Sequence, residues 1–363
     1  MNALNGPLRE TVADLPATDP DLTALPGAAA GGRAERKVRS AIEEIVGLRR
    51  HVPDAVDVPA TERGRLRVRL RHTLIRQLSR SLVLCDRALG DRVGEGFGVL
   101  MYHRCCPAEP AAEPPSLNVT PEALRGQLSG LLERGFVFRP LPEVLGDVEA
   151  GRPVPRGTVV VTFDDGFACL AGHAMPVLEE LRVPASVFVC TGLIDREEPM
   201  PFDPWGGRMA GRVDPACYRS LNAREVRGML DSGLIDIGAH THGHDDFRGR
   251  PRDLREDLGR CARTLAARFD VRNPTFAFPF GTPSLGFADD ALAGAARAAG
   301  MRCALTSESR IVRPSDDPFA WGRLNVFEWD TAATLQARLH GWYSWMPRLW
   351  AGVRRRRRGG AGR

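Results

Sequence analysis

Short apolar runs and longer amphipathic segments alternate along residues 97–345 of the chain. The apolar runs predict strands at 99–102, 158–163, 185–190, 235–238, 275–279 and 302–306. The amphipathic segments predict helices at 121–134, 174–182, 223–232, 251–269 and 288–299. This alternation predicts an α/β domain with a mainly parallel sheet, in which functional residues gather at the carboxyl ends of the strands.

The region before this domain has a helical pattern. We expect residues 35–96 to form a helical extension in which leucines recur every four residues beside arginines. The leucines are Leu66, Leu70, Leu74, Leu78 and Leu82, and the arginines are Arg63, Arg67, Arg71, Arg76 and Arg80. Two readings stay open: the leucine stripe packs on the neighbouring domain, or it lies on a membrane surface.

The two ends of the chain look separable from the domain. Residues 1–34 are rich in Ala, Gly, Pro and Asp without a clear period, which is typical of disorder. Residues 346–363 form a basic tail that includes an arginine run at 354–358, and Trp342, Tyr343 and Trp345 precede it. These rings and arginines suit a membrane interface, or else a terminal helix that packs on the domain and ends in a solvated tail.

Composition narrows the class of protein. The 363 residues are 43% hydrophobic and 26% charged, which suits one large catalytic domain, and the net charge of +5 is too modest to indicate nucleic-acid binding. The eight cysteines lack metal-site or disulfide spacing and are expected to be free thiols. No signal peptide and no apolar run of about 18 residues is visible, so we expect a protein of the cytoplasm or the inner face of the membrane.

The strongest chemical signal is the sequence Thr162-Phe163-Asp164-Asp165-Gly166 at the end of a predicted strand. Two adjacent carboxylates repel each other, and folding alone gives no reason to accept that repulsion. A second group follows another predicted strand, where His240 and His244 stand four residues apart. Two imidazoles and a carboxylate suit zinc or a similar divalent metal, and three protein ligands leave a coordination position open.

These segments resemble the NodB-homology polysaccharide deacetylases, in their exopolysaccharide branch. The resemblance rests on the Thr-Phe-Asp-Asp-Gly and His-Thr-x-x-His motifs, on Phe276-Ala277-Phe278-Pro279-Phe280-Gly281, and on Met101-Tyr102-His103 upstream. It implies an irregular (β/α) barrel, often seven-stranded. It also implies that Asp164 is the general base, that Asp165, His240 and His244 bind one divalent metal, and that Thr241 orients the second histidine. The metal would be zinc, with cobalt, nickel or manganese as alternatives. Substrate contacts are assigned to Tyr102, Pro279, Phe280 and Gly281.

Two family features are missing from their usual places. The Leu-x-His motif that supplies the acid for the leaving amine is absent, because His340 lies in a predicted helix. We assign the acid to His103, since the first and last strands of a barrel are neighbours. No cation precedes the third motif, so Arg323, in a segment resembling a late strand of this branch, is assigned as the partner of Asp164.

The resemblance therefore implies a metal-dependent hydrolase that removes N-acetyl groups from an amino-sugar-containing polysaccharide or glycoconjugate. The alternative is a catalytically silent carbohydrate-binding relative with the same fold. The expected partner is an N-acetylated glycan and not nucleic acid, with peripheral membrane contact through the arginine-rich helix or the Trp/Arg tail as a further expectation.

Overall fold

The computed structural model describes residues 70, 72–73, 75–77, 79, 96–109, 114–115 and 117–341. The segment 1–34, most of the predicted extension 35–96 and the basic tail 346–363 lie outside these residues, as do Trp342, Tyr343 and Trp345. Within the described part, no helix is long and apolar enough to cross a membrane.

Eight strands form one sheet, and every pairing between them is parallel. The strands are β1 (Gly98–Tyr102), β2 (Val137–Phe138), β3 (Thr158–Phe163), β4 (Ala185–Val189), β5 (Ile235–Ala239), β6 (Phe276–Ala277), β7 (Ala304–Leu305) and β8 (Leu324–Asn325). Seven follow the order β7-β6-β5-β4-β3-β1-β8, and β2 pairs beside this path with the start of β3. Buried parallel strands read as continuous apolar runs, which is why the longer ones are visible in the sequence.

The curled sheet closes at a seam between β7 and the segment that leads into β8. Leu305 forms a parallel bridge with Trp321, and the Thr306 amide donates a 2.8 Å hydrogen bond to the Trp321 carbonyl. Leu324 then pairs with Leu100 of β1. The prediction of an irregular seven-stranded (β/α) barrel is confirmed.

Helices cover the outside of the barrel, as expected for strands joined by parallel crossovers. They are α1 (Pro121–Leu132), α2 (Leu141–Glu149), α3 (Met175–Leu181), α4 (Pro204–Met209), α5 (Ala223–Asp231), α6 (Pro251–Phe269), α7 (Asp290–Ala298) and α8 (Ala332–Leu339). Local sequence determines where several of these helices begin. Thr120 caps α1 ahead of Pro121, and α5 begins with a capping box in which Asn222 and Glu225 satisfy each other's backbone amides.

Two apolar clusters follow the alternation of side chains along the strands. Leu100 and Val161 belong to the larger cluster, which lies between the sheet and the helices. Val99, Val160 and Phe188 belong to the second cluster, which fills the barrel. Because successive side chains of a strand point to opposite faces, a residue's position along its strand decides whether its side chain enters the barrel or packs against the helices.

The described residues between 70 and 79 are helical and pack on the loop that follows β8. Ile75 is buried, His72 stacks on Trp329 at 4.7 Å, and the Arg76 guanidinium donates hydrogen bonds of 3.1 and 3.0 Å to the Trp329 carbonyl. Leu70, a member of the predicted leucine stripe, is 56% exposed. The face that meets the barrel carries His72, Ile75 and Arg76. Because the other four leucines of the stripe lie outside the described residues, both interpretations of the stripe stay predictions.

The described cysteines are free thiols, as expected from their spacing. They are Cys105, Cys106, Cys169, Cys190, Cys217, Cys261 and Cys303, and all of them are buried. Cys85 lies outside the described residues.

Candidate active site

The residues singled out for chemistry meet at one mouth of the barrel because each lies near the carboxyl end of a strand. Asp164 and Asp165 directly follow β3, His240 directly follows β5, and His103 directly follows β1. Parallel strands bring these ends to one rim. The fold thus brings motifs that are 61 or more residues apart in the chain into a single site.

Asp165, His240 and His244 form a cluster that fits a divalent metal. Their ligand atoms lie within 4.8 Å of one another, and Asp165 Oδ1 is 3.3 Å from His240 Nε2 and 3.5 Å from His244 Nε2. Burial acts to raise the pKa of Asp165, but the neighbouring histidines His240, His244 and His103 together lower it by more, so its pKa lies well below the ordinary value. The carboxylate is therefore ionised and available as a ligand.

The tautomer of His240 also fits metal binding. Its Nδ1 lies 2.8 Å from the carbonyl oxygen of Ala277, which can only accept a hydrogen bond. Nδ1 therefore carries the proton, and in the neutral ring Nε2 presents a lone pair to the cluster. Thr241 accepts a 2.9 Å hydrogen bond from the His244 amide through Oγ1, which holds the turn that leads to the second histidine.

Asp164 forms a buried ion pair with Arg323. The two guanidinium nitrogens lie 2.6 and 2.8 Å from the two carboxylate oxygens, and the Arg323 side chain is only 1% exposed. Arg323 Nε also donates to the Thr306 carbonyl at 3.1 Å. Burial acts to raise the pKa of Asp164, but Arg323 and His240 lower it by more. No cation directly precedes the third motif, and Arg323 supplies the charge instead. It lies just before β8, across the seam from β7.

His103 lies beside this cluster, within the electrostatic reach of both aspartates. Burial lowers its pKa, and the charges of Asp165 and Asp164 offset that effect only in part. The net shift leaves the imidazole neutral at neutral pH. His340, by contrast, ends α8 and packs near Phe136 with ring centroids 5.5 Å apart.

Strained backbone surrounds the metal cluster. Asp165, Thr241, His244 and Phe280 have φ values of 71°, 67°, 62° and 61°, in the left-handed region that residues other than glycine seldom adopt. Each such residue costs about 1 kcal/mol or more. Strained backbone of this kind persists where the surrounding structure fixes the direction of a side chain. Here the strained residues include Asp165 and His244, two of the three residues of the metal cluster.

The third motif, residues 276–281, places the Phe280 ring in the site and forms a tight turn at Gly281. The Phe280 ring meets His244 edge-on, with centroids 5.0 Å apart. Pro279 and Gly281 are buried, and a Cβ on Gly281 would lie 2.9 Å from the Ser307 backbone nitrogen, so that only glycine fits there. Substrate contact by these three residues stays a prediction.

Tyr102 corrects the sequence-based assignment. Its ring stacks on Phe163 in the layer between the sheet and the helices, and its hydroxyl donates a 3.2 Å hydrogen bond to Gln127 of α1. Burial raises the pKa of Tyr102 well above its usual range. The assignment of Tyr102 to substrate binding is wrong, because neighbouring residues of a strand point to opposite faces and His103 takes the mouth.

Sequence reasoning missed three residues that support the site. Phe202 stacks on the His244 ring with centroids 3.8 Å apart and planes 19° apart. Arg104, directly after His103, forms a buried ion pair with Asp203. Apart from the position of Arg104 beside His103, the sequence carries no signal for this group, because it depends on how a long connection folds back over the barrel.

Comparison with known proteins finds similar domains and relatives. The polysaccharide deacetylase family model matches residues 151–304. A poly-beta-1,6-N-acetyl-D-glucosamine N-deacetylase of Staphylococcus aureus is 22% identical over 218 residues, which are 58% of this chain and 68% of the relative. A protein of the same name from Escherichia coli is 25% identical over 146 residues, which are 40% of this chain and 20% of the relative.

Solved structures agree with this match. The structure of IcaB from Ammonifex degensii superposes with a TM-score of 0.55 at 26% identity, over 69% of this chain and 98% of that one. The Streptococcus pyogenes deacetylase PplD, solved with acetate, shares the fold at 19% identity and a TM-score of 0.55, over 67% of this chain and 98% of that one. Residues 151–304 therefore match the polysaccharide deacetylase (NodB) domain, and the chain is similar to the exopolysaccharide deacetylases.

Proposed function

We propose that this protein is a metal-dependent hydrolase that removes N-acetyl groups from an amino-sugar glycan. The observation that carries the proposal is the Asp165–His240–His244 cluster next to the Asp164–Arg323 ion pair. One group supplies three metal ligands, and the other supplies an ionised carboxylate. Amide hydrolysis needs both of these at the same carbonyl.

A divalent metal held by the three ligands would polarise the acetamide carbonyl and lower the pKa of a water molecule. The chain's own residues then move the protons. Asp164 is ionised, and although Arg323 binds both of its oxygens, each oxygen keeps a further lone pair. Asp164 is therefore able to accept the proton that the attacking water loses, while Arg323 fixes the direction of the carboxylate.

His103 is the proposed acid for the leaving amine. It shares the barrel mouth with the metal ligands, and the charges of Asp165 and Asp164 act on its ring. Because its pKa is lowered, the resting imidazole is neutral and has to take up a proton before it can protonate the amine. Its contribution to turnover should accordingly grow as the pH falls.

The proposed substrate class is a polymer of N-acetylglucosamine. Two supports bear on it: the names of the relatives from Staphylococcus aureus and Escherichia coli, and the match to the polysaccharide deacetylase family. Two imidazoles and a carboxylate suit zinc, and cobalt, nickel or manganese would fill the same donor set.

The test pairs metal content with acetate release. The full chain is stripped with a chelator and reloaded separately with Zn²⁺, Co²⁺, Ni²⁺ or Mn²⁺. Bound metal is counted, and acetate is measured with β-1,6-linked and β-1,4-linked N-acetylglucosamine oligosaccharides. We expect one metal per chain and acetate release that depends on it. A chain that binds both oligosaccharides yet releases no acetate with any of the four metals would instead support the silent carbohydrate-binding relative.

A further inference from the structure

The two proposed metal histidines have different surroundings. A histidine that binds a metal usually donates its other ring N–H to a carboxylate, a carbonyl or water, which fixes the ring. His240 follows this rule, with its Nδ1 bonded to the Ala277 carbonyl at 2.8 Å. Nδ1 of His244 is buried and has no hydrogen-bond partner among the described residues. No hydrogen bond at Nδ1 from the described residues therefore fixes the second ring, and other contacts have to orient it.

Aromatic rings enclose His244 instead. Phe202 lies face to face with the imidazole at a centroid distance of 3.8 Å, with 19° between the planes. Phe280 approaches with its edge at 5.0 Å and 72°. A face contact on one side and an edge contact on another leave the imidazole little freedom to rotate about its own bond to Cβ, so that Nε2 keeps its direction toward Asp165.

Phe202 comes from the β4–β5 segment, residues 190–234, and this segment is anchored next to the ring. Asp203 caps α4 by accepting a 3.0 Å hydrogen bond from the Gly206 amide, and it forms an ion pair with Arg104. Both charged side chains are only 4% exposed. The Arg104 guanidinium also lies 3.8 Å over the Phe167 ring. Separating the partners of a buried ion pair leaves an uncompensated charge, so this pair ties the start of α4 to the segment that follows β1.

We propose that Phe202 is the positioning residue of His244, and that the Arg104–Asp203 ion pair holds Phe202 in place. Metal affinity then depends on a segment that supplies none of the three ligands. The inference rests on the proposed metal site and adds the way in which its second histidine is held.

The test measures metal affinity and not turnover. The stripped full chain is titrated with Zn²⁺ against a chromophoric chelator, and the Co²⁺ form is compared by its visible absorption spectrum. Loss of a group that orients a ligand weakens metal binding about 10- to 100-fold, so we expect Phe202→Ala to weaken Zn²⁺ binding by about 10-fold or more. Its Co²⁺ spectrum should change as well, because the second imidazole is no longer fixed.

Three further variants separate positioning from general damage. Phe202→Tyr keeps the stacked ring and should bind Zn²⁺ like the wild type. Asp203→Asn removes the charge but keeps a good cap for α4, and it should weaken Zn²⁺ binding in the same direction as Phe202→Ala. Phe287→Leu is the matched control, because Phe287 packs on Phe280, with ring centroids 4.8 Å apart, and makes no ring contact with His244 among the described residues. It should leave Zn²⁺ affinity within about 2-fold of the wild type.

The outcomes decide between the two proposals. A wild-type chain that binds no divalent metal contradicts the proposed function itself. A wild-type chain that binds Zn²⁺, with a folded Phe202→Ala variant that binds it equally well, overturns only the positioning role of Phe202. If Phe202→Ala does not fold, Phe202→Leu replaces it, since leucine keeps the apolar contact and removes the ring.

Discussion

The guanidinium of Arg323 binds both carboxylate oxygens of Asp164, at 2.6 and 2.8 Å, although 159 residues separate the two in the chain. Arg323 directly precedes β8, and Asp164 directly follows β3. The strand between them in the sheet is β1, so the pair spans the end of the strand that carries His103. The proposed base, its counter-ion and the proposed acid are thus held by three neighbouring strands.

Replacement of Arg323 by methionine should destabilise the fold, because it leaves Asp164 buried without a cation. We expect the free energy of unfolding to fall by about 3–5 kcal/mol, as is usual when one partner of a buried pair is removed. Urea unfolding of the stripped chain measures this. Arg297→Met, which breaks the exposed pair with Asp317, should cost less than about 1 kcal/mol. The double variant Arg323→Met with Asp164→Asn should recover part of the loss, and no recovery would argue against a specific pair.

Asp164→Asn should keep the metal and lose turnover. The amide cannot accept the proton of the attacking water, so kcat should fall about 10²- to 10⁴-fold while Zn²⁺ content stays at the wild-type level. Acetate release and metal content are measured on the same preparation. A near-normal kcat would show that another group takes the proton, and loss of metal would place Asp164 among the ligands.

His103→Ala and His340→Ala should have opposite effects. The first should lower kcat about 10²-fold with little change in melting temperature, because His103 lies among the charged groups of the mouth. The second should leave kcat unchanged and lower the melting temperature slightly, because His340 packs on Phe136 at the end of α8. Turnover and melting temperature are recorded for both. A folded, metal-loaded and inactive His340 variant would overturn the assignment of the acid.

Asp236 should make stability depend on pH. Burial raises the pKa of this β5 carboxyl to about 6, and its Oδ2 has no hydrogen-bond partner among the described residues. The folded state therefore holds the proton to a higher pH than the unfolded chain does. The contribution of Asp236 to the free energy of unfolding should fall as the pH rises from about 4 to 6, and above pH 6 the loss from this group is about 3 kcal/mol at most.

Asp236→Asn tests this directly. The amide carries no charge at any of these pH values, so the variant should be more stable than the wild type at pH 7 by about 1–3 kcal/mol, and the difference should shrink toward pH 4. Urea unfolding with excess chelator measures it without any contribution from metal. Asp253→Asn, at a carboxylate that is 57% exposed, is the control and should show no such trend. A constant difference between Asp236→Asn and wild type at all pH values would contradict the shifted pKa.

The sequence predicts the barrel where its strands are long and buried. β1, β3, β4 and β5 lie within one residue of their predicted ranges, because each is five or six residues long and almost entirely buried. β2 has only two residues and one exposed side chain, so periodicity cannot detect it. The sequence does not predict helix α4 for the same reason, because its six residues are too few to show a helical period.

The candidate site, like the fold, could be predicted from the sequence only in part. Motif chemistry brings Asp164, Asp165 and the two histidines together in advance, since strand ends meet at one rim. The contact between Phe202 and His244 could not be predicted, because it depends on the path of a 45-residue connection, 190–234, that local patterns do not determine. The assignment of Tyr102 is wrong because the motif treats Tyr102 and His103 as one group. Neighbouring residues of a strand point to opposite faces, so only one of the two can reach the mouth.

The seam of the barrel has a consequence for how this protein would lose activity on heating. Between β7 and the segment that leads into β8, the ring is joined by the Leu305–Trp321 bridge and by backbone hydrogen bonds from Thr306 to Trp321 and from Arg323 to Glu308, whereas β1 and β3 pair over five residues. Arg323 stands directly beside that join. Local opening there would pull the guanidinium away from Asp164 while most helices and strands stay formed. Inactivation should therefore precede the loss of circular dichroism, and the amide hydrogen of Thr306 should exchange with solvent sooner than those of β3.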